Sequence, residues 1–106
     1  MVIERFHVYL VTLNPTVGSE VSKTRPCVVV SPDEMNRRLS TVIGAPLTST
    51  RKNYPTRVSS KVGGRSGLVM LDQIRTVDRR RLVKKVGELD VATSTAVVRT
   101  LLEMFA

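Results

Sequence analysis

Short apolar runs alternate with polar, turn-prone pieces along most of the chain, and the period changes only near its end. The runs "HVYLVTL" (7–13), "PCVVVS" (26–31), "TVIGAPLT" (41–48), "TRVSS" (56–60), "GLVML" (67–71), "IRTV" (74–77) and "LVKKV" (82–86) have strand length and many β-branched residues. The pieces "NPTVGSE" (14–20), "SPDEMNRR" (31–38) and "KVGGRSG" (61–67) carry the residues of turns. From 90 to 105 the spacing becomes helical. Asp90 suits an N-cap, Val91, Val98, Leu102 and Phe105 form a stripe, and Val97, Leu101 and Met104 widen it. This pattern predicts a mainly β (α+β) fold: a small, strongly bent antiparallel sheet or barrel with one C-terminal helix. The helix is expected to pack on the sheet or on a partner subunit.

At 106 residues, with no repeat and no Gly/Ser linker, the chain reads as one domain spanning 1–106. No apolar run has the length of a membrane span, and "MVIERFHVYL" lacks the layout of a signal peptide, so a cytoplasmic location is expected. The lone Cys27, set in an apolar run, reads as a reduced core thiol. No metal or other cofactor is expected. Charge changes the picture more than any of these. Seventeen Lys and Arg against nine Asp and Glu leave a net +8, which favours a polyanionic partner. No basic amphipathic helix supports a membrane surface, and an aromatic content of 4% argues against a binder that stacks bases on a row of rings.

The stretch "KTRPCVVVSP" (23–32) places an arginine before a proline at the mouth of an apolar strand. The proline ring pushes Arg25 out of the helical region and leaves it an extended backbone with little freedom. If runs 26–31 and 41–48 pair as a hairpin pivoting near residues 36–37, Arg25 falls opposite Thr48. A cation and a hydroxyl then converge where Lys23, Arg51 and Lys52 collect, a candidate phosphodiester site.

The segments "NPTVGSE", "RPCVVVSP", "APLTS", "YP" and "GLVMLDQIRTVDRRRL" together closely resemble the MazF/PemK family of toxin endoribonucleases, from about residue 5 to the C-terminal helix. The resemblance implies an SH3-like β-barrel with a C-terminal helix, assembled as a homodimer. It implies metal-independent, sequence-selective cleavage of single-stranded RNA. It further implies inhibition by a cognate antitoxin whose acidic segment lies in the RNA groove, with operator DNA bound only through that complex. By position, the family's catalytic arginine and threonine fall on Arg25 and Thr48, and Glu20 matches a glutamate tied to activity. Asn14, Ser19, Lys23, Thr24, Ser49, Arg51, Lys52, Asp72, Gln73 and Arg75 are the expected RNA contacts. Asp72 matches an acidic residue of the PemK-like branch, though it could instead satisfy backbone donors at a bulge. The run "DRRR" (78–81) reads either as a solvated turn or as an attraction for RNA or an acidic antitoxin.

Departures narrow what carries over. "RFHVY" puts Phe6 at the family's glycine position and His7 at its acidic one, while Ser19 and Met70 replace the histidine and arginine of the PemK-like branch. An Asp–Arg–His mechanism therefore does not transfer, whereas an Arg–Thr mechanism does. The expected products are a 2′,3′-cyclic phosphate and a 5′-OH, with Glu20 as general base and His7 as the alternative. A gyrase poison of the CcdB type shares the fold but depends on a C-terminal Trp, and this chain has none. A catalytically silent SH3-like nucleic-acid-binding module is the remaining alternative.

Overall fold

The computed structural model describes residues 1–12, 24–50 and 52–106. Among them are strands β1 (His7–Thr12), β2 (Thr24–Val29), β3 (Thr41–Thr48), β4 (Arg57–Val62), β5 (Arg65–Met70), β6 (Arg75–Asp78) and β7 (Leu82–Glu88). Helix α1 (Asp33–Arg38) joins β2 to β3, helix α2 (Val91–Phe105) closes the chain, and 3-10 turns occupy Leu71–Gln73 and Arg79–Arg81. The strands lie in the order β4-β5-β3-β2-β1-β7, with β6 also paired to β3, and every pairing is antiparallel.

The central runs lack polar alternation because both of their faces are buried. Val8, Val28, Ala45 and Val69 pack with Val97 of α2 in one core cluster. Tyr9, Val11, Cys27, Val29 and Val42 form a second cluster with Ile3, Val77 and Leu82. A strand covered on both sides has no solvent face to mark with polar residues. The sheet curls until the end of β4 meets β7. A Cβ added at Gly87 would lie 2.4 Å from Val62 Cγ1, so glycine is what lets this seam close.

The β2–β3 register agrees with the sequence expectation. Cys27 faces Pro46, Val28 faces Ala45 and Val29 faces Gly44, and the same register continued outward sets Arg25 opposite Thr48. Three details differ. Residues 31–38 are not only a turn: α1 occupies Asp33–Arg38, with Asp33 and Glu34 in its first turn and Arg37 and Arg38 in its last, as the helix dipole favours. The 61–67 piece is mostly strand. Only Gly63 (φ 57°) and Gly64 (φ 78°) turn, and two successive positive φ values make the two-residue loop that suits a twisted hairpin.

The third difference concerns α2. Asp90 caps it as expected, accepting from the Thr93 amide at 2.7 Å. However, the face on the core is Val97, with Ala96, Leu101 and Met104, whereas Val91, Leu102 and Phe105 point outward at 83%, 67% and 72% exposure. Of the two apolar faces, the sheet takes the one that the first stripe leaves out.

Phe6 adopts φ 67°, the left-handed region that favours glycine, at the position where the resembled family has glycine. Its backbone is held there from both sides: its amide donates to Val29 O at 2.7 Å and its carbonyl accepts from the Leu89 amide at 2.9 Å. The described residues contain no helix long and apolar enough to cross a membrane.

Asn36 is fully buried and ties α1 to the sheet. Its Oδ1 accepts from Ser31 Oγ, its Nδ2 donates to Ser31 O at 2.9 Å, and Ser31 Oγ accepts from the Ile43 amide at 3.0 Å. Arg79 also donates to Asn36 O. Asn36→Ala strips Ser31 of two partners in a closed space and should cost about 1–3 kcal/mol, measured by urea denaturation.

Candidate functional site

The β2–β3 ladder stops at Cys27 and Pro46. Pro26, which falls opposite Leu47 in that register, lacks the amide hydrogen that would continue it, so the strands part there. Into this opening project Arg25 from β2 and Thr48 from β3. Together with Pro26, Leu47, Ser49 and the β4–β5 hairpin they line a groove of about 600 Å³. Arg25 is exposed and makes no ion pair among the described residues.

Thr48 is positioned by two constraints. Gly67 of β5 runs so close that a Cβ there would come within 2.8 Å of the Thr48 carbonyl oxygen. On the side-chain end, Thr48 Oγ1 accepts from the Thr50 amide at 3.1 Å. That bond occupies a lone pair and leaves the hydroxyl proton to be donated elsewhere.

Electrostatics sets the sign of the groove. Burial raises the Cys27 thiol above its ordinary value, and the charges of Arg75 and Arg25, in that order, pull it back. Both arginines therefore act on one spot of the sheet, although Arg75, on β6, does not line the groove. No group of three His, Cys, Asp or Glu placed to hold a metal ion exists among the described residues.

The other expected residues scatter. Ser49 lines the groove, and Thr24 sits one residue outside Arg25 at the strand mouth. Lys52 and Asp72 belong to a neighbouring cluster, and Gln73 follows Asp72 in the same 3-10 turn. There Asp72 accepts from Thr56 Oγ1 at 3.1 Å and from the Arg57 guanidinium at 3.3 and 3.4 Å, and Arg57 also donates to Lys52 O and covers the Tyr54 ring at 4.6 Å. Asp72 thus satisfies side-chain donors that hold the 52–57 connection, where a bulge had been the structural expectation. Asn14, Ser19, Glu20, Lys23 and Arg51 lie outside the described residues.

His7 does not line the groove, although its neighbour Val8 does. It starts β1 opposite Glu88, with Nε2 at 3.4 Å from Glu4 and 3.5 Å from Glu88, while Arg25 is reached four residues further along, opposite Val11. The "DRRR" run is a turn with largely internal bonds. Asp78 accepts from the Arg80 amide and guanidinium, and Arg79 donates to Asn36 O. Sequence reading missed Thr50, Ser60, Arg65 and Ser66, which also line the groove. The "GG" flanked by β-like runs was the available signal.

The groove on this small half-barrel is lined by two arginines and several hydroxyls. The PemK-like, MazF-like toxins of type II toxin–antitoxin systems match residues 4–105. Endoribonuclease EndoA of Bacillus subtilis (strain 168) is 38% identical over 96 residues, covering 85% of this chain and 83% of that one. A MazE–MazF crystal structure (Form-II) from Deinococcus radiodurans superposes with TM-score 0.84 at 28% identity, covering 99% of this chain and 96% of that one. An endoribonuclease in complex with its cognate antitoxin from Mycobacterial species gives TM-score 0.81 at 27% identity, covering 97% and 94%. The chain belongs to the PemK-like, MazF-like toxin family, a family of endoribonucleases.

Arg57 holds the Asp72 carboxyl below its ordinary value, with the Thr56 hydroxyl adding to the effect. A carboxyl whose folded value is depressed stabilises the fold above its unfolded value of about 4 and loses that contribution as pH falls through the folded value. Asp72→Asn should therefore differ most from the parent near neutral pH and converge with it in acid, as read from thermal melts between about pH 7 and pH 3.

Proposed function

We propose that this toxin endoribonuclease cleaves single-stranded RNA in the groove between β2, β3 and the β4–β5 hairpin, with Arg25 and Thr48 as its catalytic pair. The observation that carries the reading is that a guanidinium with no ion pair among the described residues and an oriented hydroxyl line one opening. RNA supplies its own nucleophile. The ribose 2′-oxygen attacks phosphorus, the bond to the 5′-oxygen breaks, and a 2′,3′-cyclic phosphate and a 5′-OH result. The enzyme's part is alignment and charge stabilisation.

Arg25 suits this because its fork can hold two phosphate oxygens at once. Thr48 donates its free proton to a phosphate oxygen as charge builds there. The proton leaving the 2′-OH is assigned to Glu20, and the departing 5′-oxygen takes up a proton in turn. No step is routed through a metal, since the groups facing the groove are a cation and hydroxyls. Asn14, Ser19, Lys23, Thr24, Ser49, Arg51, Lys52, Gln73 and Arg75 are assigned to flanking nucleotides. Asp72 is assigned through Arg57, whose bonds hold the 52–57 connection beside them.

The likeness to structures solved with MazE and with a cognate antitoxin supports inhibition by an antitoxin; its acidic segment is assigned to this groove, and the toxin to the cytoplasm. The outward apolar stripe of α2 supports a homodimer. Light scattering at micromolar concentration should return twice the chain mass, and a monomer would refute the dimer.

Incubation with a long RNA in EDTA, followed by end mapping, tests the activity. Wild-type protein should cut and leave cyclic phosphate ends. Arg25→Ala should nearly abolish turnover with the fold intact, and Arg25→Lys should be badly impaired because an ammonium lacks the two-pronged geometry. Thr48→Val should lose about 2–4 kcal/mol of transition-state stabilisation. Wild-type turnover by Arg25→Ala would mean that the site is elsewhere.

A further inference from the structure

Past Thr48, β3 and β5 separate. Their ladder holds only Leu47 opposite Val69 and Thr48 opposite Leu68, so Gly67 and Ser66 continue with partners on β4 alone. The gap left beside β5 is a recess of about 180 Å³ lined by Ser49, Asn53, Ser59, Ser60, Ser66 and Gly67, together with Leu68. Ser49, Ser60, Ser66 and Gly67 also line the Arg25–Thr48 groove, so the recess opens off it.

Among the described residues the lining is uncharged. Ser60 Oγ is committed to Gly67 O at 3.4 Å, whereas the side chains of Ser49, Asn53, Ser59 and Ser66 are exposed and make no hydrogen bond among the described residues. They present three hydroxyls and one amide, a mixture of donors and acceptors. A phosphate would seek cations and an apolar ligand would seek carbon. A mixed, neutral edge matches the hydrogen-bonding edge of an unpaired nucleobase. Among the described residues the recess carries no aromatic ring, so its discrimination is assigned to edge hydrogen bonds rather than stacking.

A cation stands on the same hairpin. Arg65 follows the Gly63–Gly64 turn, lines the groove, and has no ion pair among the described residues. By contrast, Arg5 donates to Val30 O, Arg57 pairs with Asp72, Arg79 donates to Asn36 O and Arg80 pairs with Asp78.

Building on the RNA-cleavage reading, we infer that the β4–β5 hairpin carries a nucleotide subsite beside the Arg25–Thr48 pair. The recess reads one unpaired base through Ser49, Asn53, Ser59 and Ser66, and Arg65 holds a phosphate of the same strand. Base contacts specify and phosphate contacts position, so the two halves of the subsite should fail differently.

The test is selection from a random-sequence 2′-fluoro RNA library, which can bind but lacks the attacking hydroxyl, with salt titrations of a selected ligand. Asn53→Ala and Ser66→Ala should each flatten the base preference at one position about tenfold and leave the salt dependence unchanged. Arg65→Gln should keep the preference and make the log–log salt slope shallower by about 0.7. Arg65→Lys should restore the slope, since a point charge serves for counterion release. An unchanged preference in both recess variants, or an unchanged slope in Arg65→Gln, overturns the subsite while leaving Arg25-dependent cleavage of natural RNA standing. Failure of the wild type to bind the library overturns the subsite, and failure to cut natural RNA as well overturns the groove-cleavage reading with it.

Discussion

Strand β3 holds three neighbours along eight residues, and the groove exists because of where it passes from one to the next. Thr41–Gly44 pairs with β6, Gly44–Pro46 with β2, and Leu47–Thr48 with β5. A flat strand cannot serve β6 and β5 in turn on one edge unless the sheet bends between them. Pro26 removes the amide donor that would continue the ladder with β2, and Pro46 removes one on the opposite edge of β3, where β6 gives way to β5. Everything proposed for the site sits at that break: Arg25 on one lip, Thr48 on the other, and the recess one step further, where β5 in turn loses β3.

The net charge of +8 overstates how many cations are available to a ligand. Arg5, Arg57, Arg79 and Arg80 are committed to carbonyls or carboxylates of the fold. Arg25 and Arg65 make no ion pair among the described residues, and both line one groove. A polyanion in the groove would meet the charges of these two, and the charge of Arg75 reaches Cys27 on the same sheet. Excess charge makes the molecule attractive to RNA in general, and the pairing pattern decides where the attraction is spent.

Glycine and proline do the positioning that side chains do elsewhere. Gly87 admits Val62 at the seam, Gly67 admits the Thr48 carbonyl, and Gly63–Gly64 turns the hairpin that bears Arg65. Phe6 shows the converse: a left-handed backbone held in a bulky residue by hydrogen bonds to Val29 and Leu89. These are places where two backbones approach more closely than a side chain allows, or where a turn must reverse its hand.

By itself the sequence determined the strand runs, the capped C-terminal helix and the register that sets Arg25 opposite Thr48. Each of these depends on period, on residue stiffness or on pairing between neighbours in the chain. The tertiary structure decided the rest. It chose Val97, Leu101 and Met104 over the more regular outer stripe of α2, because the choice depends on which face the curled sheet can cover. It made a helix of 33–38 around the buried Asn36, whose partner Ser31 is bonded in turn to β3. It gave Asp72 to Arg57, and it brought Ser60, Arg65 and Ser66 to a groove whose other lip lies some forty residues away in the chain. Local pattern carries no record of such meetings, because they depend on where a bent sheet returns upon itself.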